Sequence, residues 1–301
     1  MTLTRTTCPY CGVGCGVLAG ADGTIQGDAD HPANYGRLCS KGAALGETID
    51  LDGRLLTPMV HGAPTSWDTA LDLVAHNFRT AIRDHGPDSV AFYVSGQLLI
   101  EDYYVANKLM KGFIGSANID TNSRLCMASS VASHKRAFGS DTVPGTYQDL
   151  EQADLVVLVG SNLAWCHPVL YQRIRAAKEA RPTMRIINID PRRTATSDIA
   201  DQHLQIAPDG DVALFNGLLA HMHKQGAVDQ AFVQAHVNGF DAALSAASSG
   251  GETGLHDSDV QAFYDAWVRT EKVVTIYSQG VNQSAYGSDK VNAILNCHLA
   301  T

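Results

Sequence analysis

Leu155-Val-Val-Leu-Val159-Gly160-Ser161-Asn162 is the stretch that decides the fold. Five consecutive apolar residues ending on a glycine and a small polar pair read as a strand covered on both faces. A helical pattern over roughly 168–180 follows, and then a second strand at Arg185–Ile189, which together make a βαβ unit. Downstream, Val212, Phe215, Leu218, Leu219 and Met222 repeat at helical spacing around 212–224. A further helix is predicted over 257–269, and Val273–Tyr277 reads as another strand. Upstream, Thr65 and Asp68 resemble a capping box for a helix carrying Trp67, Ala70, Leu71, Val74, Ala75, Phe78, Ala81 and Ile82. Val90–Val94 and Asn118–Thr121 read as short strands, and 99–112 and 127–138 as helices. Strands alternating with helices predict an α/β fold with partial doubly wound layers. The last apolar pattern, Val291–Thr301, is helical and looks cut short.

Composition narrows the function classes. The chain has 301 residues, 45% of them hydrophobic, and a net charge of −9 without a basic run. That argues against a nucleic-acid groove. No apolar stretch reaches the length of a membrane span, so no membrane partner is expected. Residues 1–7 hold neither a twin arginine nor an apolar segment, and a cytoplasmic location is expected on that ground.

Four of the seven cysteines lie within the first 39 residues. Cys8-Pro-Tyr-Cys11-Gly-Val-Gly-Cys15-Gly sets a C-x2-C-x3-C spacing, and Cys39 follows after a gap. Three close thiolates suit three corners of an iron–sulfur cube, with the fourth ligand brought from a distant turn. Gly12, Gly14 and Gly16 suit backbone that wraps such a cluster closely. The alternative is structural zinc, for which a second C-x2-C pair is missing. The glycine-rich residues 1–58 are expected to form a small irregular β domain around this centre.

Other positions are less specific on their own. Cys126 stands just before a predicted helix, whose N-terminus favours thiolate, yet a lone cysteine is often only a small apolar side chain. Gly160, Ser161 and Asn162 follow one strand, and Asp190, Arg192 and Arg193 follow the next. Ligands of open α/β sheets bind beyond such carboxyl ends, where an acid can accept from ribose or guanine and arginines can hold a pyrophosphate. A plain strand-to-helix turn explains either motif equally well. Cys166 and Cys297 are expected to be core thiols.

Taken in order, these segments resemble the large molybdenum and tungsten bis-pterin oxidoreductase family, which includes nitrate reductases and formate dehydrogenases. Cys8-Pro-Tyr-Cys11-Gly-Val-Gly-Cys15-Gly and the later Gly36-Arg-Leu-Cys39-Ser-Lys41-Gly carry the resemblance first. It implies a [4Fe–4S] cluster on Cys8, Cys11, Cys15 and Cys39, with Lys41 between cluster and pterin. It also implies a molybdenum bis(molybdopterin guanine dinucleotide) cofactor with Cys126 as the protein thiolate on the metal. Asn122-Ser-Arg-Leu-Cys126-Met-Ala-Ser-Ser is similar to the nitrate reductases, whereas formate dehydrogenases place histidine soon after this cysteine or selenocysteine. Here Met127 follows, and the nearest downstream histidine is His134. The stretches Tyr93-Val-Ser-Gly-Gln97, Ala106-Asn107-Lys108 and Asn118-Ile-Asp-Thr-Asn122 resemble the assimilatory branch.

The same resemblance implies that Gly160, Ser161, Asn162, His167, Asp190, Arg192, Arg193, Asp211, Gly280 and Asn282 border the pterin dinucleotides. Gln97, Lys108, Lys111 and Arg124 offer a polar or positive lining for an oxyanion. Pro208-Asp209-Gly210-Asp211 departs from the family's P-G-T/S-D segment, and the extra carboxylate of Asp209 puts the loop shape in doubt. The implied domains are 1–58 for the cluster, 59–140 for the first α/β part with Cys126, and 141–301 for a dinucleotide-pterin domain shortened relative to the family. The implied reaction is two-electron reduction of nitrate to nitrite by oxygen-atom transfer to molybdenum. Electrons would come from a ferredoxin, a flavoprotein or an NAD(P)H-linked reductase. A formate dehydrogenase-like enzyme and a non-catalytic iron–sulfur or pterin-binding fragment remain the alternatives, and a chain of this length is expected to lack part of the molybdenum site.

Overall fold

In the computed structural model, residues 2–301 are described, except for the side chain of Arg124, so the expectation for that guanidinium lies outside the described residues. The chain forms two compact units, Met1–Arg124 and Leu125–Thr301. The expected cluster segment 1–58 lies in the first unit, and the expected segment 141–301 lies in the second.

The first unit opens with an antiparallel sheet of β1 (Leu3–Thr7), β2 (Gly16–Gly20) and β3 (Ile25–Gly27), in the order β1-β2-β3. The cysteine loop is thus the connection between β1 and β2. A small hairpin, β4 (Met59–Val60) with β5 (Ala63–Pro64), precedes the helix Trp67–His85. That helix starts one residue later than the capping-box reading placed it. The Ser66 hydroxyl accepts from the Thr69 N–H at 3.2 Å, while the Thr65 N–H donates to the Pro58 carbonyl. Its later turns half-bury Phe78, Ala81 and Ile82, and Phe78 meets Phe92 with ring centroids 6.1 Å apart. Its first turns leave Trp67, Leu71 and Val74 exposed. β6 (Phe92–Val94) pairs in parallel with β7 (Ile119–Thr121). The connection is the helix Ile100–Asn107 and a wider-wound continuation, Lys108–Ile114, where a single helix was expected.

The second unit holds the sheet foreseen from Leu155–Val159. β8 (Leu155–Val159), β9 (Arg185–Ile189), β10 (Gln202–Leu204) and β11 (Val273–Tyr277) run all parallel in the order β10-β9-β8-β11. Every residue of β8 is buried, and alternate side chains go to opposite layers. Leu155, Val157 and Val159 join Ile187 and Ile189 against the helices Asp211–Gln225, Asp257–Val268 and Gly287–Leu299. Val156, Leu158 and Ile186 pack instead with Leu163, Ile174 and Met184 beneath the helix Pro168–Ala180. This two-sided cover is the physical reason for an unbroken apolar strand. The strand order reverses beside β8: the chain moves outward through β9 and β10, then returns to the other side as β11. A doubly wound sheet binds its ligand at that reversal.

Candidate functional site

In the first unit, the loop after β1 folds back on itself. The Cys8 N–H donates to the Cys15 carbonyl at 2.9 Å and the Gly14 N–H to the Cys11 carbonyl at 3.2 Å. Gly14 sits at φ 61°, in the left-handed region open to glycine. Gly16 has a different reason to be glycine, since a Cβ there would stand 2.4 Å from the His31 side chain. Asn34 is fully buried, and its side chain accepts from the Gly16 N–H and donates to the Gly16 and Arg37 carbonyls. It therefore ties the cysteine loop to the turn that delivers Cys39. Sequence reasoning did not single out Asn34, because a lone asparagine in a turn-rich stretch carries no pattern.

Cys39 caps the short helix Ser40–Ala43, with the Gly42 N–H 3.4 Å from its sulfur. Burial, and then the nearby Cys8, Cys11 and Cys39, push the Cys15 thiol up to about 11. Among the described residues no three His, Cys, Asp or Glu side chains converge tightly enough for a single metal ion. Three thiols on the β1–β2 loop and a fourth on the Cys39 turn, where the Gly42 N–H points at the sulfur, are a donor set whose chemistry suits an iron–sulfur cluster. Lys41 is exposed, its ammonium 6.0 Å from the centre of the Tyr10 ring between Cys8 and Cys11.

In the second unit, the carboxyl ends of three strands meet at Gly160. Its N–H donates to the Ile189 carbonyl at the end of β9, and its carbonyl accepts from the Gly280 N–H beyond β11 at 3.0 Å. Gly160 has φ 53°, and a Cβ there would lie 2.9 Å from the Gly280 Cα. Its lack of a side chain is thus required first by the other loop's backbone. A cavity of about 610 Å³ opens at this point. Gly160, Asn162, Asp190, Arg192, Asp211 and Gly280, all singled out in the sequence, line it.

The other expected contacts lie elsewhere. Ser161 is buried, and its hydroxyl has no hydrogen-bond partner among the described residues. His167 is exposed at the junction of the helices Leu163–Cys166 and Pro168–Ala180. Arg193 is exposed, and Asn282 is buried toward Cys126. Cys297 is a core thiol donating to the Phe215 carbonyl. Cys166 is not: it is exposed and lines the cavity, because the helix carrying it is a single short turn. In the first unit, Gln97, Lys108 and Lys111 are exposed.

The doubtful 208–211 loop resolves through a residue the sequence did not announce. Asp209 takes φ 68°, a left-handed conformation that aspartate tolerates, and Gly210 precedes the helix Asp211–Gln225. The ammonium of Lys290, itself buried, sits 2.9 Å from both Asp209 Oδ1 and Asp211 Oδ2. Burial alone would lower the Lys290 pKa, but the two carboxylates outweigh it and raise it. In return Lys290, helped by the Ser284 hydroxyl, lowers that of Asp209. The cavity floor is therefore a fixed acid–base–acid cluster.

Cys126 is exposed and lies beside the loop that follows β11. The Gln283 side-chain amide is 3.3 Å from its sulfur, and that of Gln279 is 3.8 Å from it. His134 does not serve this thiol: one ring nitrogen meets the Tyr277 hydroxyl at 3.0 Å and the other the Thr142 carbonyl at 2.9 Å.

The chain is similar along its whole length to known proteins. The chain is 55% identical over 310 residues to a nitrate reductase of Klebsiella oxytoca, covering 100% of this chain and 35% of that protein. It is 49% identical over 320 residues to a nitrate reductase of Shewanella frigidimarina, covering 100% of this chain and 34% of that one. It therefore spans about a third of the length of these relatives. Acetylene hydratase from Pelobacter acetylenicus shares the fold, with a TM-score of 0.76 at 21% identity over 98% of this chain and 42% of that one. Residues 1–51 match the molybdopterin oxidoreductase Fe4S4 domain, whose cluster the four thiols suit, and residues 54–301 match the molybdopterin oxidoreductase family itself. The chain belongs to the molybdopterin oxidoreductase family, with the family's Fe4S4 domain at its N-terminus.

Proposed function

We propose that this chain is the N-terminal part of an assimilatory, cytoplasmic nitrate reductase that converts nitrate to nitrite with two electrons. The observation that carries the reading is Cys126. It is an exposed thiol followed by Met127, held beside the ligand cavity of a doubly wound sheet, with the nearest downstream histidine engaged elsewhere. Relatives that match along the whole chain and are nitrate reductases support it.

When bound, the molybdenum–pterin group supplies the redox chemistry. The chain's own residues hold and orient it. Cys126 offers the thiolate ligand. Gly160 and Gly280 leave backbone bare for a pterin or phosphate to approach. Asn162, Asp190 and Asp211 offer acceptors or donors to a guanine dinucleotide, and Arg192 offers charge for its pyrophosphate. Asn282 serves that cradle indirectly, through the Cys126 backbone, and Ser161, His167 and Arg193 stand on the turns next to it in sequence. Cys8, Cys11, Cys15 and Cys39 hold the cluster through which electrons enter, with Lys41 as the cation beside their path. The donor is a ferredoxin, a flavoprotein or an NAD(P)H-linked reductase.

The test is an assay of the purified full-length protein with reduced dye and nitrate, and separately with formate and an oxidised dye. Nitrite formation is the expected result. Formate oxidation without nitrate reduction overturns the reading. So does a full-length protein that carries iron but no molybdenum and is inactive toward both.

A further inference from the structure

The amide groups beside Cys126 come from one short helix. Gln279–Asn282 follows β11 directly, and its turn sets Gln279, Asn282 and Gln283 on one face at i, i+3 and i+4. The helix is anchored to the sheet edge, because the Gly280 N–H donates to the Gly160 carbonyl at 3.0 Å and the two glycines pack backbone on backbone. Asn282 is only 3% exposed and uses its side chain fully. Its amide nitrogen donates to the Cys126 carbonyl at 2.7 Å and to Gln279 Oε1 at 2.9 Å, and its oxygen accepts from the Ser130 N–H at 2.9 Å. Occupying Gln279 Oε1 orients that amide. Its NH2 then faces sulfur, 2.9 Å from Met127 Sδ and 3.8 Å from Cys126 Sγ. Gln283 completes the arrangement with its nitrogen 3.3 Å from the same Sγ.

We propose that Gln283, supported by Gln279, is a positioning residue for the Cys126 sulfur that also tunes a metal bound to it. This rests on the reading of Cys126 as the molybdenum ligand. N–H groups aimed at a coordinated thiolate draw electron density from the sulfur, which makes the bound metal easier to reduce. Asn282 fixes the backbone of the cysteine, and the two glutamines fix the sulfur. A segment distant in sequence is thereby held to the carboxyl edge of the sheet.

The experiment uses the full-length holoenzyme and reads the molybdenum(V)/(IV) midpoint by redox titration with paramagnetic resonance. Gln283→Met keeps the length and removes the donor. Gln283→Glu keeps the shape and places carboxylate oxygen against sulfur. The expected result is a three- to tenfold fall in the reduction equilibrium for Gln283→Met, or about 30–60 mV on the one-electron scale. A larger fall is expected for Gln283→Glu. Metal content and the cluster midpoint stay at native values. If Gln283→Met fails to load molybdenum, Gln279→Met must show the same direction of shift. A Cys126→Ser variant separates the two ideas. If it leaves the molybdenum signal native, the ligand reading fails. If it changes the signal while the glutamine variants leave the midpoint unmoved, the positioning role is overturned.

Discussion

Replacing Lys290 with methionine tests the cavity floor. Lys290 is 3% exposed, and its ammonium lies 2.9 Å from both Asp209 Oδ1 and Asp211 Oδ2. The Asp211 side chain is 9% exposed, and that of Asp209 is 56% exposed. The two pairs therefore count differently. The Asp209 pair is screened by solvent and contributes at most about 1 kcal/mol. Removing Lys290 leaves Asp211 buried without its cation, and stranding one partner of a buried pair costs about 3–5 kcal/mol. The expected loss is about 4 kcal/mol, or roughly 8–16 °C in the melting temperature of a unit this size. Lys290→Met with Asp211→Asn should restore most of that loss, because removing both charges removes the desolvation problem.

The pH dependence follows from the signs. The raised Lys290 stabilises fully below the ordinary lysine value of 10.5 and loses its contribution as pH rises through its folded value. The lowered Asp209 contributes above 3.8, and its share is lost as pH falls through its folded value. The native contribution is thus flat between those limits. Urea and thermal unfolding of the protein near neutral pH measure it. A Lys290→Met variant within about 1 kcal/mol of native stability refutes a desolvated pair.

Three further outcomes are expected. His298, whose Nε2 lies 2.8 Å from the Thr275 hydroxyl, is lowered to about 4 by burial, so the unfolded chain binds the extra proton between pH 6.5 and about 4. Stability should fall across that window by up to about 3 kcal/mol, and unfolding curves of His298→Gln should lose this slope. Gly160→Ala, strained at φ 53° and pressed to 2.9 Å from the Gly280 Cα, should cost about 1–3 kcal/mol in denaturant unfolding. An unchanged midpoint there means the two loops separate freely. Cys15→Ser should strip the cluster, read as loss of iron and of visible absorbance, whereas Cys297→Ser should keep both. Full iron in Cys15→Ser removes Cys15 from the ligand set.

Much of the architecture was legible. Leu155–Val159, Arg185–Ile189 and Val273–Tyr277 are strands with the bounds their apolar runs indicate. The helices over 168–180, 212–224 and 257–269 stand within a residue or so of their periodic patterns. Short helices such as Tyr147–Gln152 and Phe240–Ala247 went unread, because one or two turns carry too few repeats to show a period. The helix entry at Ser66 rather than Thr65 turned on which hydroxyl could reach the Thr69 N–H. Cys166 was misjudged for a related reason: burial depends on what lies above a turn, and one residue does not report it.

The sequence by itself determined the covered parallel strands, the clustered cysteines and the thiol at residue 126, since each is written in local spacing or local apolarity. Only the tertiary structure decided that Gly160 must be bare for Gly280, that Lys290 bridges Asp209 and Asp211, and that Gln279 and Gln283 reach Cys126. Periodicity tells which face of an element is buried. It does not tell which loops meet at the reversal of the strand order, and that meeting is set by how the strands pair.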